Sequence, residues 1–523
     1  MLSQKYYYTR IGQANDLKNA KERAIYRIFE TLPAILAWGT LLGTIFLSYF
    51  APVFAAIFII AFDTYWFLKT IYLSLHLRSA FNKMRKNMKI NWFQQLTDNQ
   101  QLTTNDWKEI YHLIILPFYK ESEKTIKAAI NSIYESNYPK DKIMIILAAE
   151  ERACQAADSE YDALKIAQKI QEEFSDKFFK FLITIHPENL PEEIPGKGSN
   201  IAWAAKKTKE EIIDLLKIPY DKIIVSAFDI DTVVYPDYFA RLTYVYLNTA
   251  NPQKYSYQPV PFYTNNIWQA PALARVVAFS ATFWHTLQQE RAERLTTFSS
   301  HSMAFQTLVD VNFWQTNMVS EDSRIFWQAL LRYNGDYGVI PLYYPIKMDA
   351  NMTPSFLKTM KNLYKQQRRW SWGCENIPYI LFGFLKNKEI CFRKKMHYVW
   401  IYIEGFWSWA TNVLIIFLLG WLPVTIGSEE FKQTLLSYNL PQITHWIMTL
   451  ATIGIITSAY LTMIILPQKP PEYGRHKYLI MILQWPLLLI TMIIFGALPA
   501  IESQTRLMFG KKFRLGFWVT PKD

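Results

Sequence analysis

SAFDIDTVVYPD, residues 226–237, closes an apolar run (KIIVSAF, 222–228) on two aspartates separated by one residue. The run is short and rich in branched apolar side chains, and a polar turn bounds it, so it reads as a buried strand. Asp229 and Asp231 then fall just past its carboxyl end. What surrounds the strand decides whether those acids make a turn or a site.

Upstream the pattern alternates. IYHLIILP from Ile110 reads as a buried strand, SEKTIKAAINSIYES as an amphipathic helix and KIMIILAAE as a second strand. A helical stretch over 155–174 follows, then KFLITIH as a third strand and KGSNIAWAAKKTKEEIIDLL as a helix before the fourth. Apolar strands alternating with helices predict an α/β domain whose mainly parallel sheet is covered on both faces. Ligands of such sheets bind beyond the carboxyl ends of the strands. Neither GxGxxG nor GxxxxGK[ST] occurs in this region, so no dinucleotide or P-loop motif accounts for the aspartates.

Further out the chain turns apolar. Its 523 residues exceed what one core organises. Residues 31–77 carry only Asp63, Lys69 and His76 as acidic or basic groups, which is length enough for two membrane-spanning helices, with Pro52 predicting a tight hairpin between them. Three more apolar runs cover 398–423, 443–466 and 478–501. The first run is no cleavable signal: a long polar arm precedes it and a second span follows. A soluble protein with unusually apolar helices is the competing reading.

The net charge of +12 matters through its placement. Lys18, Lys21, Arg23 and Arg27 precede the hairpin and Arg78, Lys83, Arg85, Lys86 and Lys89 follow it. The positive-inside rule therefore puts both its ends, and the α/β domain, in the cytoplasm, and the expected location is the plasma (inner) membrane. Basic residues that flank spans, in place of one long stripe, argue against nucleic acid as a partner. Cys154, Cys374 and Cys391 lack metal-ligand or paired spacing and fit a reducing compartment. At the C-terminal end GSEEFKQ faces outward and PQKPPEYGRHK inward. A full crossing at 478–501 would export Arg506, Lys511, Lys512, Arg514 and Lys522, against the charge rule. Pro486 and Pro499 interrupt that run, and a segment that returns or lies at the interface keeps the tail inside.

The expected layout is a cytoplasmic arm (1–30), two transmembrane helices (31–77), a basic linker (78–109), the α/β domain (110–370), an interfacial helix region (371–397), a C-terminal membrane region (398–501) and a basic tail (502–523).

Two carboxylates flanking one residue can offer oxygen to a hard divalent cation that bridges to phosphate. Alone, such a triplet is as often a turn or a cap. Four further elements appear in order: LPFYKE (116–121), GKGSN (196–200), SED (320–322) and QQRRW (366–370). With hydrophobic spans on both sides, the set resembles the membrane-embedded family 2 glycosyltransferases, the group that includes cellulose and hyaluronan synthases. The resemblance covers roughly 110–370 plus the spans. It implies a GT-A (Rossmann-like) cytoplasmic domain inserted between N-terminal and C-terminal transmembrane helices. It also implies an inverting hexosyltransferase that uses Mg2+ or Mn2+ to move a sugar from a nucleotide-diphosphate donor, a UDP-sugar, to a glycan or lipid-linked acceptor, with processive polysaccharide synthesis as one mode.

The resemblance also assigns residues. Pro117, Tyr119 and Glu121 match the first-strand P-x-Y-x-E near the base and ribose, with Lys120 in place of the usual Asn. The second-strand acidic pair is displaced, leaving Glu150 or Glu151 one step late. Lys197 and Asn200 match the K-x-x-N beside the donor diphosphate, and Asp229 and Asp231 match the metal and diphosphate aspartates. Glu321 and Asp322 stand in the position of the TED motif, whose final Asp is the general base, and Ser320 replaces Thr. The plainer reading of SED is an N-cap with acids in the first helical turn. Gln366, Arg369 and Trp370 match Q-x-x-R-W, a guanidinium for the leaving diphosphate and an indole for the acceptor sugar. FWVTPKD (517–523) is similar to the cellulose synthases' FxVTxK gating loop. Gln258, Pro259, His301 and Ser302 fall where the family keeps acceptor-lining residues. Trp400, Trp407, Trp409 and Trp421 are candidates to line a glycan path or to anchor at the interface. The reading from another class is a non-catalytic transporter or scaffold that retains a nucleotide-sugar-binding domain.

Overall fold

Ile143–Glu150, the second strand (β2), is buried along its whole length, and so is all but the first residue of β1, Tyr111–Phe118. Such runs have no solvated face and are covered on both sides. The computed structural model describes residues 4–98, 106–154, 162–516 and 518. β3 (Lys180–His186) and β4 (Ile223–Ala227) complete the predicted set. β5 (Val233–Val234), β6 (Tyr255–Tyr263), β7 (His301–Ala304) and β8 (Gly338–Met348) follow. All eight join one sheet in the order β3-β2-β1-β4-β7-β6-β8-β5.

The first four strands are parallel, with Ile114 of β1 opposite Ile145 of β2 on one side and Ser226 of β4 on the other. Beyond β4 the sheet is mixed: β7 runs antiparallel to β4 and β6, β6 runs parallel to β8, and β5 is antiparallel to β8. The sequence concealed β6 because YSYQPVPFY holds two prolines, which cannot donate to a ladder. Pro259 sits at a register shift between Gln258 and Val260, where no ladder bond is needed.

Side-chain parity sorts the core into two layers. Ile114, Leu116, Ile145 and Leu147 face one side, while Leu113, Ile115, Met144 and Ile146 face the other. The second layer meets the N-terminal arm through Tyr8 and Ile11. The helix Glu123–Tyr134 buries Ile126, Ala129, Ile130 and Ile133 at helical spacing, and its N-cap Ser122 accepts from the Thr125 N–H.

The predicted hairpin consists of α1 (Ala20–Phe50) and α2 (Pro52–Asn87). Pro52 opens α2 at a position whose N–H would have no partner in any case. Phe46, Phe50, Phe54 and Leu68 are exposed, as a lipid-facing surface requires. Among the described residues four helical runs are long and apolar enough to cross a membrane: Ala20–Phe50, Pro52–Asn87, Phe392–Leu419 and His476–Phe509. A further helix covers Leu435–Ile465 and packs along α2. The turn after Phe392–Leu419 meets the α1–α2 turn: a Cβ on Gly427 would lie 3.0 Å from Pro52 and 2.2 Å from the Pro423 oxygen, so this approach needs glycine.

His476–Phe509 behaves differently from the other three. Near its start Tyr478 packs edge-on against Trp268, Gln484 accepts from Arg275 at 2.6 Å, and buried Trp485 stacks on Phe283. Near its end Glu502 pairs with Arg368 at 2.6 Å and Ser503 bonds Ser371 at 2.8 Å. Both ends thus rest on the α/β domain and the helix that leaves it. Pro486 and Gly496 mark a 3-10 turn and a π turn in between, not a break.

Candidate active site

The carboxyl ends of β1, β2 and β4 open into one cavity of about 680 Å³. Each strand delivers its predicted residues there. Pro117, Tyr119 and Glu121 line it after β1, Glu150 at the end of β2, and Asp229 and Asp231 after β4. Of the two β2 candidates Glu150 is the one that enters. Glu151 turns away to accept from the Glu188 N–H.

The helix Lys197–Thr208 starts at the same edge. Gly196 takes φ +146°, a conformation that L side chains rarely adopt. A Cβ on Gly198 would meet the Glu321 Cβ at 3.0 Å, so this glycine lets two helix N-termini converge. Lys197 is consequently no loose loop residue. Its ammonium bonds Asp229 Oδ1 at 2.5 Å and Ser299 Oγ at 2.9 Å. Burial pushes that ammonium down, but Asp229, Glu321 and Asp322 more than offset it, and its pKa lies above the ordinary lysine range. Asn200 lines the cavity while donating to the Ala148 carbonyl, which fixes the helix to β2.

Asp322 opens the helix Glu321–Arg332 and faces the cavity, whereas Glu321 is buried under Gly198 and is not part of its wall. The expected Ser320 side-chain cap does not form. Its hydroxyl and N–H both turn to Glu375 Oε1, at 2.8 and 3.1 Å. Burial raises both acids: Glu321, with Asp322 beside it, is pushed up to about 8. Burial raises Asp322 too, while Lys197 and Arg369, which act on both acids, favour its carboxylate.

The helix Phe356–Ser371 supplies Gln366, Arg369 and Trp370 to the cavity on one face, at i, i+3 and i+4. Arg368 turns the other way to Glu502. Trp370 lies 6.0 Å from Tyr263 between ring centroids, forming an aromatic corner next to Asp231 and Asp322. Gln258 and His301 are not part of this wall. Gln258 accepts from the Phe298 N–H and His301 bonds the Phe298 carbonyl, so they hold the 298–300 loop, and burial keeps His301 neutral with a pKa of about 4. Of the four candidate tryptophans of the C-terminal helices, only Trp409 reaches the cavity. FWVTPKD lies outside the described residues except Trp518, whose ring lies under the Lys365 ammonium at 5.0 Å.

Four functional neighbours escaped the sequence reading. The Asp349 N–H donates to Asp231 Oδ2 at 3.0 Å, Arg152 holds Glu150 at 2.6 Å and stacks on Tyr119 at 4.6 Å, and Tyr263 and Glu375 act as described. Asp349 alone had a signal: an acid directly after the long strand segment that ends in Met348.

The donor set suits a divalent cation. Asp229 and Asp231 are two hard carboxylates at one rim, and among the described residues no group of three or more His, Cys, Asp or Glu forms a self-sufficient metal cage. Two carboxylates at one rim are of the kind that would hold a hard divalent cation.

The family model described as glycosyl transferase family group 2 matches residues 224–499. A poly-β-1,6-N-acetyl-D-glucosamine synthase of Staphylococcus aureus is 29% identical over 102 residues, which is 18% of this chain and 23% of that protein. The match thus spans about a quarter of that relative's length. Among solved structures, the mannosyltransferase PcManGT from Pyrobaculum calidifontis with GDP-Man and Mn2+ aligns over 81% of this chain and 98% of its own, at 13% identity and a TM-score of 0.37. S. aureus TarS 1-349 with UDP-GlcNAc aligns over 68% and 92%, at 12% identity and a TM-score of 0.35.

Proposed function

The chain belongs to glycosyl transferase family group 2, and from that premise we propose that it is a metal-dependent inverting hexosyltransferase working at a membrane, with a nucleotide-diphosphate sugar as donor and a glycan or lipid-linked hydroxyl as acceptor. One observation carries this reading. Asp229, Asp231, Lys197, Arg369 and Asp322 all open into a single cavity, so a place for a leaving diphosphate adjoins a place for a base.

In the proposed reaction the acceptor oxygen attacks the anomeric carbon and the bond from that carbon to the diphosphate oxygen breaks. The diphosphate leaves with the bonding electrons, and the acceptor proton passes to Asp322. Asp229 and Asp231 would hold the cation, whose charge offsets that of the leaving group. Lys197 and Arg369 add fixed positive charge on the same side. Trp370 and Tyr263 offer aromatic faces to the acceptor sugar. Glu150, held by Arg152 beside Tyr119, is the candidate partner for the base. UDP-GlcNAc and GDP-Man, the sugar nucleotides held by TarS and PcManGT, are the donors to try first.

The same cavity continues to Trp66 and Lys69 of α2 and to Glu404 and Trp409 of the Phe392–Leu414 helix. That continuity favours an acceptor that extends toward the membrane, hence chain elongation over a single transfer. The flanking positive charge supports a cytoplasmic position for the α/β domain and both ends of α1–α2. The deciding experiment is release of nucleoside diphosphate from a panel of nucleotide sugars, with and without Mn2+, by protein reconstituted in vesicles, followed by product sizing. Metal-dependent binding without turnover on any donor and acceptor would favour a non-catalytic transporter or scaffold. A single added sugar would exclude elongation.

A further inference from the structure

At the membrane end of the cavity, away from the aspartates, the wall becomes cationic. Lys69 of α2, and Arg291 and Arg294 after the Ala272–Gln288 helix, surround Glu404 of the Phe392–Leu414 helix, and all four line the cavity. Glu404 is engaged on both oxygens. Oε1 takes the Lys69 ammonium and Oε2 takes Arg294 Nη1 at 3.3 Å. Arg291 is left over. It is only 6% exposed, and its guanidinium makes no hydrogen bond among the described residues: Nε is closed off from the cavity and faces Glu293 at 3.8 Å, the Cζ lies 5.7 Å from the Tyr72 ring centroid, and the Nη donors are left for the cavity.

A buried guanidinium facing a cavity with an unused donor is costly unless a ligand completes it. Ordinary neutral sugars are handled by aromatic faces and hydroxyl partners and have no need of three cations around one acid. Arg presents a fork that matches an oxyanion by paired hydrogen bonds. Trp66 and Trp284 also line the cavity, and the Lys69 ammonium sits over the Trp66 ring at 4.1 Å.

We propose that Arg291, with Arg294 and Lys69, forms a subsite for an anionic substituent on the acceptor glycan, a carboxylate of an acidic sugar unit lying behind the unit that is extended at Asp322. The subsite rests on the glycosyltransferase reading for its place in the reaction, but its binding chemistry is separable from turnover. Exchanging Glu404 from its cations is not required, because Arg291 supplies the open donor. Glu290, the acid next to Arg291 in the chain, has both carboxylate oxygens engaged, by the Ser79 hydroxyl and the Lys83 ammonium.

The test is calorimetric binding to full-length protein in neutral-lipid nanodiscs, without donor, of a β-linked uronate tetrasaccharide and of its uncharged methyl ester. The acid is expected to bind about tenfold more tightly at low salt, the range of a hydrogen bond to a charged group. High salt should erode that preference. Arg291→Gln should abolish it and Arg291→Lys should keep part of it. Arg294→Gln serves as the second variant should Arg291→Gln not fold. Equal binding of acid and ester by the wild type overturns the proposal. So does a preference that survives both Gln variants. A parallel pair, farnesyl phosphate against farnesol, covers the lipid alternative: discrimination there with none in the uronide pair overturns the glycan assignment. If no nucleotide sugar is ever turned over while the acid–ester preference holds, the catalytic reading fails and this subsite stands. Turnover without the preference overturns the subsite and leaves the catalytic reading in place.

Discussion

Arg514 reaches from the C-terminal tail to Glu375, its Nη2 3.3 Å from Oε2, while Glu375 Oε1 accepts from the Val319 and Ser320 N–H groups and the Ser320 hydroxyl. The same guanidinium pairs with Glu30 of α1 at 2.8 Å and donates to the Gly12 carbonyl. One buried carboxylate therefore sets the turn that carries Asp322 and ties it to both ends of the chain. Removing one partner of a buried charged pair leaves the other uncompensated, which costs about 3–5 kcal/mol. Glu375→Ala is expected to lower the thermal midpoint clearly. Glu375→Gln keeps an acceptor for Ser320 but drops the charge toward Arg514. It should fold, hold donor affinity and lose about tenfold in turnover, since misplaced catalytic groups cost rate more than binding. Unchanged turnover in Glu375→Gln would show that the turn holds its position without the pair.

Asp322→Asn tests the base itself. Loss of a positioned general base removes about 10²–10⁴ of rate. Donor binding should survive, because Asp229, Asp231, Lys197 and Arg369 are untouched. The pH profile supplies a second readout. Burial holds Asp322 above the ordinary carboxylate range, so its carboxylate form, and with it turnover, should appear at higher pH than for an exposed aspartate. Turnover that stays flat down through the usual carboxylate range would remove Asp322 from the role.

Glu321 bears on stability instead. Its folded pKa is about 8 against an ordinary 4.5, so between those values the folded protein holds a proton that the unfolded chain has released. Its contribution is complete below the ordinary value and is lost as pH rises toward 8. Glu321→Gln copies the neutral form and should flatten this part of the stability–pH curve while keeping most turnover near neutrality. Thermal midpoints of both proteins across this window decide it. An identical slope in both would assign the pH dependence elsewhere.

The sequence made the site legible where function and local structure obey the same pattern. β1 to β4 were readable because fully buried strands are unbroken apolar runs, and their carboxyl ends located Asp229, Asp231 and Glu150. β6 was hidden by Pro259 and Pro261, and with it Tyr263. Glu321 and Asp322 read as an equivalent pair, but helix geometry turns one into the cavity and one under Gly198. Glu375 and Arg291 had no signal, because Glu375 is defined by partners more than 50 residues away and Arg291 by the cavity that it lines.

Removal of divalent cations is expected to stop nucleoside diphosphate release, and Mn2+ or Mg2+ to restore it. Asp231→Asn keeps an oxygen for the Asp349 N–H, so the fold should persist while the cation concentration needed for half-maximal rate rises. Full activity in a chelator would contradict the assignment of Asp229 and Asp231 to a cation.

His476–Phe509 is long and apolar enough to cross a membrane, yet it carries the domain at both ends. Trp485 is fully buried against Phe283, and an aromatic side chain of that kind contributes about 4–6 kcal/mol by burial alone. Arg368–Glu502 and Ser371–Ser503 fasten the other end. A crossing would have to break one of these two anchorages and would leave Arg514 on the side opposite Glu375. The run is therefore expected to lie along the membrane face of the domain, with its flanks on the same side. Single cysteines at Glu472 and Lys511, in a chain freed of Cys391 and its other two cysteines, should both react with an impermeant maleimide added to inside-out vesicles. Neither should react when it is added to right-side-out cells. Labelling of the two positions from opposite sides would make the run a true span and detach the tail from the Asp322 turn.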